Sequence, residues 1–284
     1  MTAALELVSP VQPDVAVAQG DAIELMRQLP DRSVDLLLTD PPYESLEKHR
    51  AKGTTTRLKK SQSSSNAWFT IFPNKRLLEL MTEAHRVLKP NSHAFIFCDE
   101  ETLFLLKPIG EQAGFRFWKS LTWVKTKKHC PEGLTDQPHE VAAKMVRGGL
   151  GYHFRGASER IAFFEKGKRR LNDKSSPDVL FGTRAGDGEY PTQKPLGPVE
   201  TLIRASSSPG DLVLDPFAGS GTTGVAARNL GRRAILFDLD VSAANERLGR
   251  RNSGTVDVTA PVTASRGACV PPIQAMNANR KGAL

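Results

Sequence analysis

The run Asp211-Leu-Val-Leu-Asp-Pro-Phe-Ala-Gly-Ser-Gly-Thr-Thr-Gly224 limits the fold more than any other stretch of this chain. It reads as a strand, a glycine turn and the start of a helix. Gly219, Gly221 and Gly224 satisfy G-x-G-x-x-G, and Asp238 stands about 20 residues beyond the first glycine, at the tip of the next apolar run. Glycines let the backbone turn sharply and approach a ligand, and a carboxylate at the second strand's tip accepts hydrogen bonds from a ribose diol. An adenosine-type cofactor is therefore expected, although such a turn also occurs without a ligand. Only residues 220–284 follow Gly219, room for about one more strand and two helices. A doubly wound sheet cannot be completed there, so most of its strands must precede the turn. This permuted order argues against an ordinary dinucleotide dehydrogenase, which carries several strands after its fingerprint.

Seven apolar runs read as strands, near Val15–Val17, Val34–Thr39, His93–Cys98, Arg116–Val124, Arg160–Phe164, Asp211–Asp215 and Arg233–Phe237. Helical patterns lie between most of them. Asp21 with Glu24 gives a capping-box signature for Ala22–Leu29. Leu77, Leu78, Met81, Ala84, Val87 and Leu88 form one stripe ended by Pro90, and further helices are expected at Glu100–Ala113, Leu196–Ala205, Thr222–Leu230 and Val241–Arg250. Alternation of this kind specifies an α/β fold with a doubly wound, mostly parallel, seven-stranded sheet. Residues 1–252 are expected to form one domain, interrupted by long irregular segments at 44–66, 126–152 and 171–189. Residues 253–284 lack periodicity and read as a disordered tail.

The strongest N-terminal strand ends in Asp40-Pro41-Pro42-Tyr43. Ligands of open α/β sheets bind at the carboxyl ends of strands. Proline removes N–H donors and leaves nearby carbonyls free to accept. The tetrapeptide therefore presents acceptors beside a flat stacking surface, suited to an amino group on a planar ring. A plain turn with Tyr43 as a packing aromatic is the alternative.

In these residues the chain resembles the amino DNA methyltransferases that use S-adenosylmethionine. Asp40-Pro-Pro-Tyr43 looks like their catalytic motif and Asp215-Pro-Phe-Ala-Gly-Ser-Gly-Thr222 like their cofactor motif. The likeness extends to Gly20-Asp21-Ala22, Pro191-Thr-Gln-Lys-Pro195 and Phe237-Asp238, and the motif order is that of the permuted β group. Tyr190 stands where the family usually has His, and Asp238 where Glu is commoner. The resemblance implies that Asp40 and the Pro41 carbonyl accept hydrogen bonds from the amine of a flipped base, with Pro42 shaping the motif and Tyr43 stacking on the ring. It implies that Phe217, Ala218, Gly219 and Gly221 face the methionine and ribose of S-adenosylmethionine, with Asp238 on the ribose hydroxyls and Asp21 near the adenine. Asp215 heads the same motif, while Ser220, Thr222 and Thr223 offer donors to the carboxylate, and Thr192 and Lys194 close the methionine end. Asp21 reads equally as a simple N-cap, and Lys194 as an exposed helix-start lysine. Asp at the head of the tetrapeptide resembles the adenine-N6 enzymes more than the cytosine-N4 ones.

The formal net charge is +8, from 39 Lys+Arg against 31 Asp+Glu. It concentrates at 48–60, 119–128 and 166–170, and Arg50, Arg57, Lys59, Lys60, Lys127, Lys128, Arg169 and Arg170 are candidates for contact with the phosphates of double-stranded DNA. Solvated loop surface is the bland alternative. Trp68, His129 and Tyr152 are candidate base-stacking or groove residues, whereas His85 and His93 read as structural. Cys98, Cys130 and Cys269 read as reduced thiols, with no metal-ligand spacing among them. No run approaches the ~18–20 apolar residues of a membrane span and the first residues lack a signal pattern, so a cytoplasmic location is expected. The resemblance also admits a homodimer and a companion restriction endonuclease. Competing readings are a cytosine-N4 enzyme, a nicotinamide-dependent oxidoreductase that leaves Asp40–Tyr43 idle, a protein-glutamine methyltransferase, whose tetrapeptide begins with Asn, and a non-catalytic DNA-binding module.

Overall fold

The computed structural model describes residues 15–45, 70–126, 156–183, 190 and 192–249. The segments 46–69 and 127–155, most of 184–191, and the expected tail from 253 lie outside the described residues.

Among the described residues eight strands form one sheet: β1 Val15–Gln19, β2 Val34–Thr39, β3 Leu88–Cys98, β4 Arg116–Thr126, β5 Ser158–Lys166, β6 Val179–Thr183, β7 Leu212–Asp215 and β8 Arg233–Asp238. Their spatial order is β1-β8-β7-β2-β3-β5-β4-β6. The first five in that order run parallel, β5 runs antiparallel to both β3 and β4, and β6 is parallel to β4. The seven expected strands are all present. The eighth, β6, lies inside the segment expected to be irregular, because Val-Leu-Phe is too short a run to signal a strand by itself. Pairing with β4 from Thr122↔Val179 to Thr126↔Thr183 orders it.

Six α-helices among the described residues cover the sheet: α1 Ala22–Arg27, α2 Leu77–Val87, α3 Glu100–Gln112, α4 Leu196–Ser206, α5 Thr222–Asn229 and α6 Ser242–Arg247. Pro90 does not end α2. The chain passes into β3 at Leu88, and Pro90 lies within that strand. β2 is buried on both faces, with Leu37 turned toward α1, α2 and α3 and Leu36 and Leu38 toward α4 and α5. Such two-sided burial explains its unbroken apolar sequence. Each of these leucines contributes about 1.5–3 kcal/mol relative to exposure. The central strands β7 and β2 are neighbours, yet the helices that follow them leave to opposite faces, which opens a crevice at their carboxyl ends. Among the described residues no helix is long and apolar enough to cross a membrane.

Candidate active site

A cavity of about 880 Å³ occupies that crevice. It is lined by Gly20 and Asp21 after β1, Asp40–Tyr43 after β2, the turn Asp215–Ser220 with Thr222 and Thr223 after β7, and Asp238 at the end of β8. Thr192 and Lys194 line it from the approach to α4. The structure thus brings both sequence motifs into one space.

Gly219 and Gly221 have φ of 50° and 73°, a left-handed conformation that a side chain resists. A Cβ on Gly221 would also stand 3.1 Å from the Ala244 backbone, and one on Gly224 would lie 2.7 Å from Leu236 Cδ1. The first two glycines make the turn, and the third lets α5 pack against the sheet. The turn is pinned from below by Asp215, only 4% exposed. One of its oxygens accepts from Thr39 Oγ1 at 2.8 Å and Phe217 N at 3.1 Å, and the other from Thr223 Oγ1 at 2.7 Å. Burial pushes its carboxyl up to about 6, with those bonds opposing. Ser220 and Thr222 share a contact at 3.2 Å, and Arg247 Nη1 reaches both hydroxyls. The side chains of Asp215 and Thr223 thus hold each other, and those of Ser220 and Thr222 form a second pair with Arg247.

Asp238 gives one oxygen to Gly219 N at 2.7 Å and the other to Asp240 N at 3.1 Å, and burial raises its carboxyl above the ordinary range. Asp21 is the N-cap of α1 and also lines the cavity. Its Oδ1 caps α1 at Ile23 N and Glu24 N, and the same carboxylate takes Arg76 in a two-point pair at 2.7 and 2.9 Å while lining the cavity. The capping box is incomplete, since Glu24 pairs with Arg27 instead. Arg76 also stands 5.4 Å from the centre of the Phe72 ring, which meets Phe217 edge-on at 5.1 Å.

At the other end of the cavity Tyr43 Oη donates to Asp40 Oδ1 at 2.7 Å, and Lys194 Nζ donates to Asp40 Oδ2. Lys194 is 12% exposed, so the exposed helix-start reading is corrected. Its ammonium also lies 3.2 Å from Glu159 Oε2 and 5.3 Å from the centre of the Phe97 ring. Glu159 Oε1 in turn pairs with Lys125 Nζ at 2.8 Å. Burial pushes Asp40 up against the pull of Lys194. Burial alone would lower Lys194, but the two carboxylates hold it above the usual lysine range. For Glu159 the two ammonium groups outweigh burial and hold the carboxyl down.

Sequence reasoning missed Glu159, Lys125, Arg76 and Arg247. Glu159 escaped because the tips of parallel strands were searched, whereas β5 is antiparallel and brings its first residues to the active edge. Of the basic candidates, Arg50, Arg57, Lys59, Lys60, Lys127 and Lys128 lie outside the described residues, as do Trp68, His129 and Tyr152. Their segments leave from the active edge, after Tyr43 and Thr126. Arg169 and Arg170 lie at the sheet edge opposite the pocket. They follow Lys166, which pairs with Ser92, whereas Arg160 at the active edge pairs with Cys98. Six residue steps, roughly 20 Å, separate the two edges. There the Arg169 carbonyl and N–H hold His93 and Glu165, which confirms His93 as structural.

The fold, the glycine cradle and the carboxylate after β2 define a methyltransferase of the Rossmann-like type. The DNA methylase family model, which covers N6 and N4 enzymes, matches residues 34–246, and the chain belongs to this S-adenosylmethionine-dependent family. Among its relatives is DNA adenine methyltransferase YhdJ of Escherichia coli strain K12, 27% identical over 94% of this chain and 91% of that protein. The crystal structure of the M1.HpyAVI–SAM complex matches with a TM-score of 0.56 and 24% identity, over 82% of this chain and 98% of that one. PvuII DNA methyltransferase, titled cytosine-N4-specific, matches with a TM-score of 0.57 and 19% identity, over 85% and 90%.

Proposed function

We propose that this DNA methyltransferase acts on the exocyclic N6 of adenine flipped out of the duplex. The observation that carries the reading is the Asp40 carboxylate opening into the cavity that the glycine turn lines. The Asp head of the tetrapeptide and the adenine-named relative YhdJ support N6 over N4.

The cavity suits the cofactor: glycines leave room for close backbone approach, and Asp238 closes one end with a carboxylate. Phe217, Ala218, Gly219, Gly221 and Asp238 hold its methionine and ribose, Asp21 lies toward its adenine, and Thr192 borders it. When bound, S-adenosylmethionine supplies an electrophilic methyl group on a sulfonium. Asp40 and the Pro41 carbonyl accept the hydrogens of the target amine, so its lone pair leaves conjugation with the ring and the positive charge developing on nitrogen is stabilised. Tyr43 exchanges its bond to Asp40 for stacking on the base. The basic segments at 44–66 and 126–152 contact phosphates.

The test is incubation with labelled S-adenosylmethionine and duplex DNA of mixed sequence, followed by nucleoside analysis. N6-methyladenine is expected. N4-methylcytosine in its place would move the enzyme to the other branch of the family, and neither product across several DNAs would overturn the reading. DNA affinity should fall steeply with salt, and a flat response would remove the basic segments from the interface.

A further inference from the structure

Both oxygens of Asp40 are engaged, one by Tyr43 and one by Lys194. An amine that approaches Asp40 competes with these donors for the carboxylate, and an ammonium that gives way needs another partner, since a bare buried charge is costly. Glu159 Oε2 is buried and already forms an ion pair with Lys194 Nζ at 3.2 Å, so the ammonium sits between two carboxylates. Lys125 holds the other oxygen of Glu159 and fixes the carboxylate beside the lysine. Trp123 lies within reach of both ammonium groups, at 5.6 Å from Lys125 and 5.9 Å from Lys194, and favours cations at either position.

We infer that Glu159 is a positioning residue that provides a second seat for the Lys194 ammonium, so that Asp40 Oδ2 is released to the target amine as the base enters. In the resting arrangement the lysine neutralises Asp40, and on base entry a small rotation carries it to Glu159 Oε2. No proton or bond changes hands. Lys125 sets the balance between the two seats, because it competes with Lys194 for Glu159.

This inference rests on the methyltransferase reading, and its test uses the full chain with S-adenosylmethionine and methylatable duplex DNA. The groups facing Asp40 are Tyr43 from its own segment, Lys194, Glu159 on β5 with Lys125 behind it, Asp215 on β7, Cys98 on β3 and Tyr190. Glu159→Gln keeps the shape and removes the charge, which leaves Lys194 clamped on Asp40. It should lower kcat/KM for DNA by roughly ten- to a hundredfold. Cofactor affinity should stay within about twofold, and the acid limb of the kcat/KM profile, which reports the free enzyme, should move to lower pH. Lys125→Met frees Glu159 to draw Lys194 away, and the same limb should move to higher pH. An unmoved limb, shifts of one sign in both variants, or loss of cofactor affinity in a folded Glu159→Gln protein overturns the inference. If Glu159→Gln does not fold, Lys125→Met decides alone, and an unmoved or lowered limb overturns it. A wild-type protein that methylates no DNA removes both readings, whereas an active wild type with the wrong limb behaviour removes this one alone.

Discussion

The ammonium of Lys194 meets the carboxylate of Asp40 across 154 residues of chain. The residue that the sequence assigns to the cofactor's end of the site thus neutralises the acid at the base's end. Base binding and the helix-start segment before α4 are thereby coupled through one ion pair.

Asp40→Asn should abolish most methyl transfer, by at least about 10²-fold, since an amide accepts more weakly and can turn a donor toward the amine. Cofactor affinity should change little, because Asp40 is held by Tyr43 and Lys194 rather than by the glycine turn. Calorimetric titration with S-adenosylmethionine beside a methyl-transfer assay separates the two. Loss of cofactor binding would show that the acid serves the other end of the cavity.

Gly221→Ala places a side chain at φ 73° and 3.1 Å from Ala244. The conformation alone costs about 1–2 kcal/mol, and α6 must also shift. Gly197→Ala, in α4 with open space around it, should instead stabilise by a few tenths to about 1 kcal/mol. Urea unfolding of the two variants should show opposite signs.

Asp215 gives stability a pH dependence whose sign is fixed by burial. Its carboxyl rises from 3.8 to about 6 on folding, so the folded state favours the protonated form. That contribution is full below about pH 4 and lost as pH rises through about 6. Relative to Asp215→Asn, which does not titrate, the wild type should gain about 2–3 kcal/mol between pH 7 and pH 4. Parallel unfolding curves at both pH values measure the difference. A constant gap between the two proteins would mean that Asp215 stays ionised throughout.

Cys98 is buried at the end of β3, and burial pushes its thiol up to about 12. With so little thiolate at neutral pH, it should resist iodoacetamide in the native protein and react once denatured. Peptide mapping before and after unfolding reads this directly.

Asp40, Asp215 and Asp238 were legible in the sequence for one reason. Each closes an apolar run whose parallel direction brings its last residue to the active edge. Strand direction is not written locally, so Glu159, at the beginning of an antiparallel strand, carried no comparable signal. Nor does the sequence show that Arg169 and Arg170, as basic as their counterparts at 127–128, follow a reversed strand to the far edge. β6 depends on long-range pairing with β4. Its Gly182 lies so close to Pro195 and Pro198 that a Cβ would approach them to 2.8 and 2.7 Å. A three-residue apolar run announces neither fact. Asp21 was legible as a cap and as a cavity residue because it is both.

The sheet order also imposes a timetable. β1 has β8 as its neighbour in the sheet, with Val15 opposite Ala234. At ribosomal speeds, roughly 5–20 residues per second, the first strand waits on the order of ten to forty seconds for its partner. Until β8 arrives, β1 offers both of its edges to other chains, and the wall of the cofactor cavity that Asp238 supplies does not exist. The nascent chain can acquire Asp40 and its strand before β8, but it can grip an adenosine ligand only once β8 and Asp238 have been made.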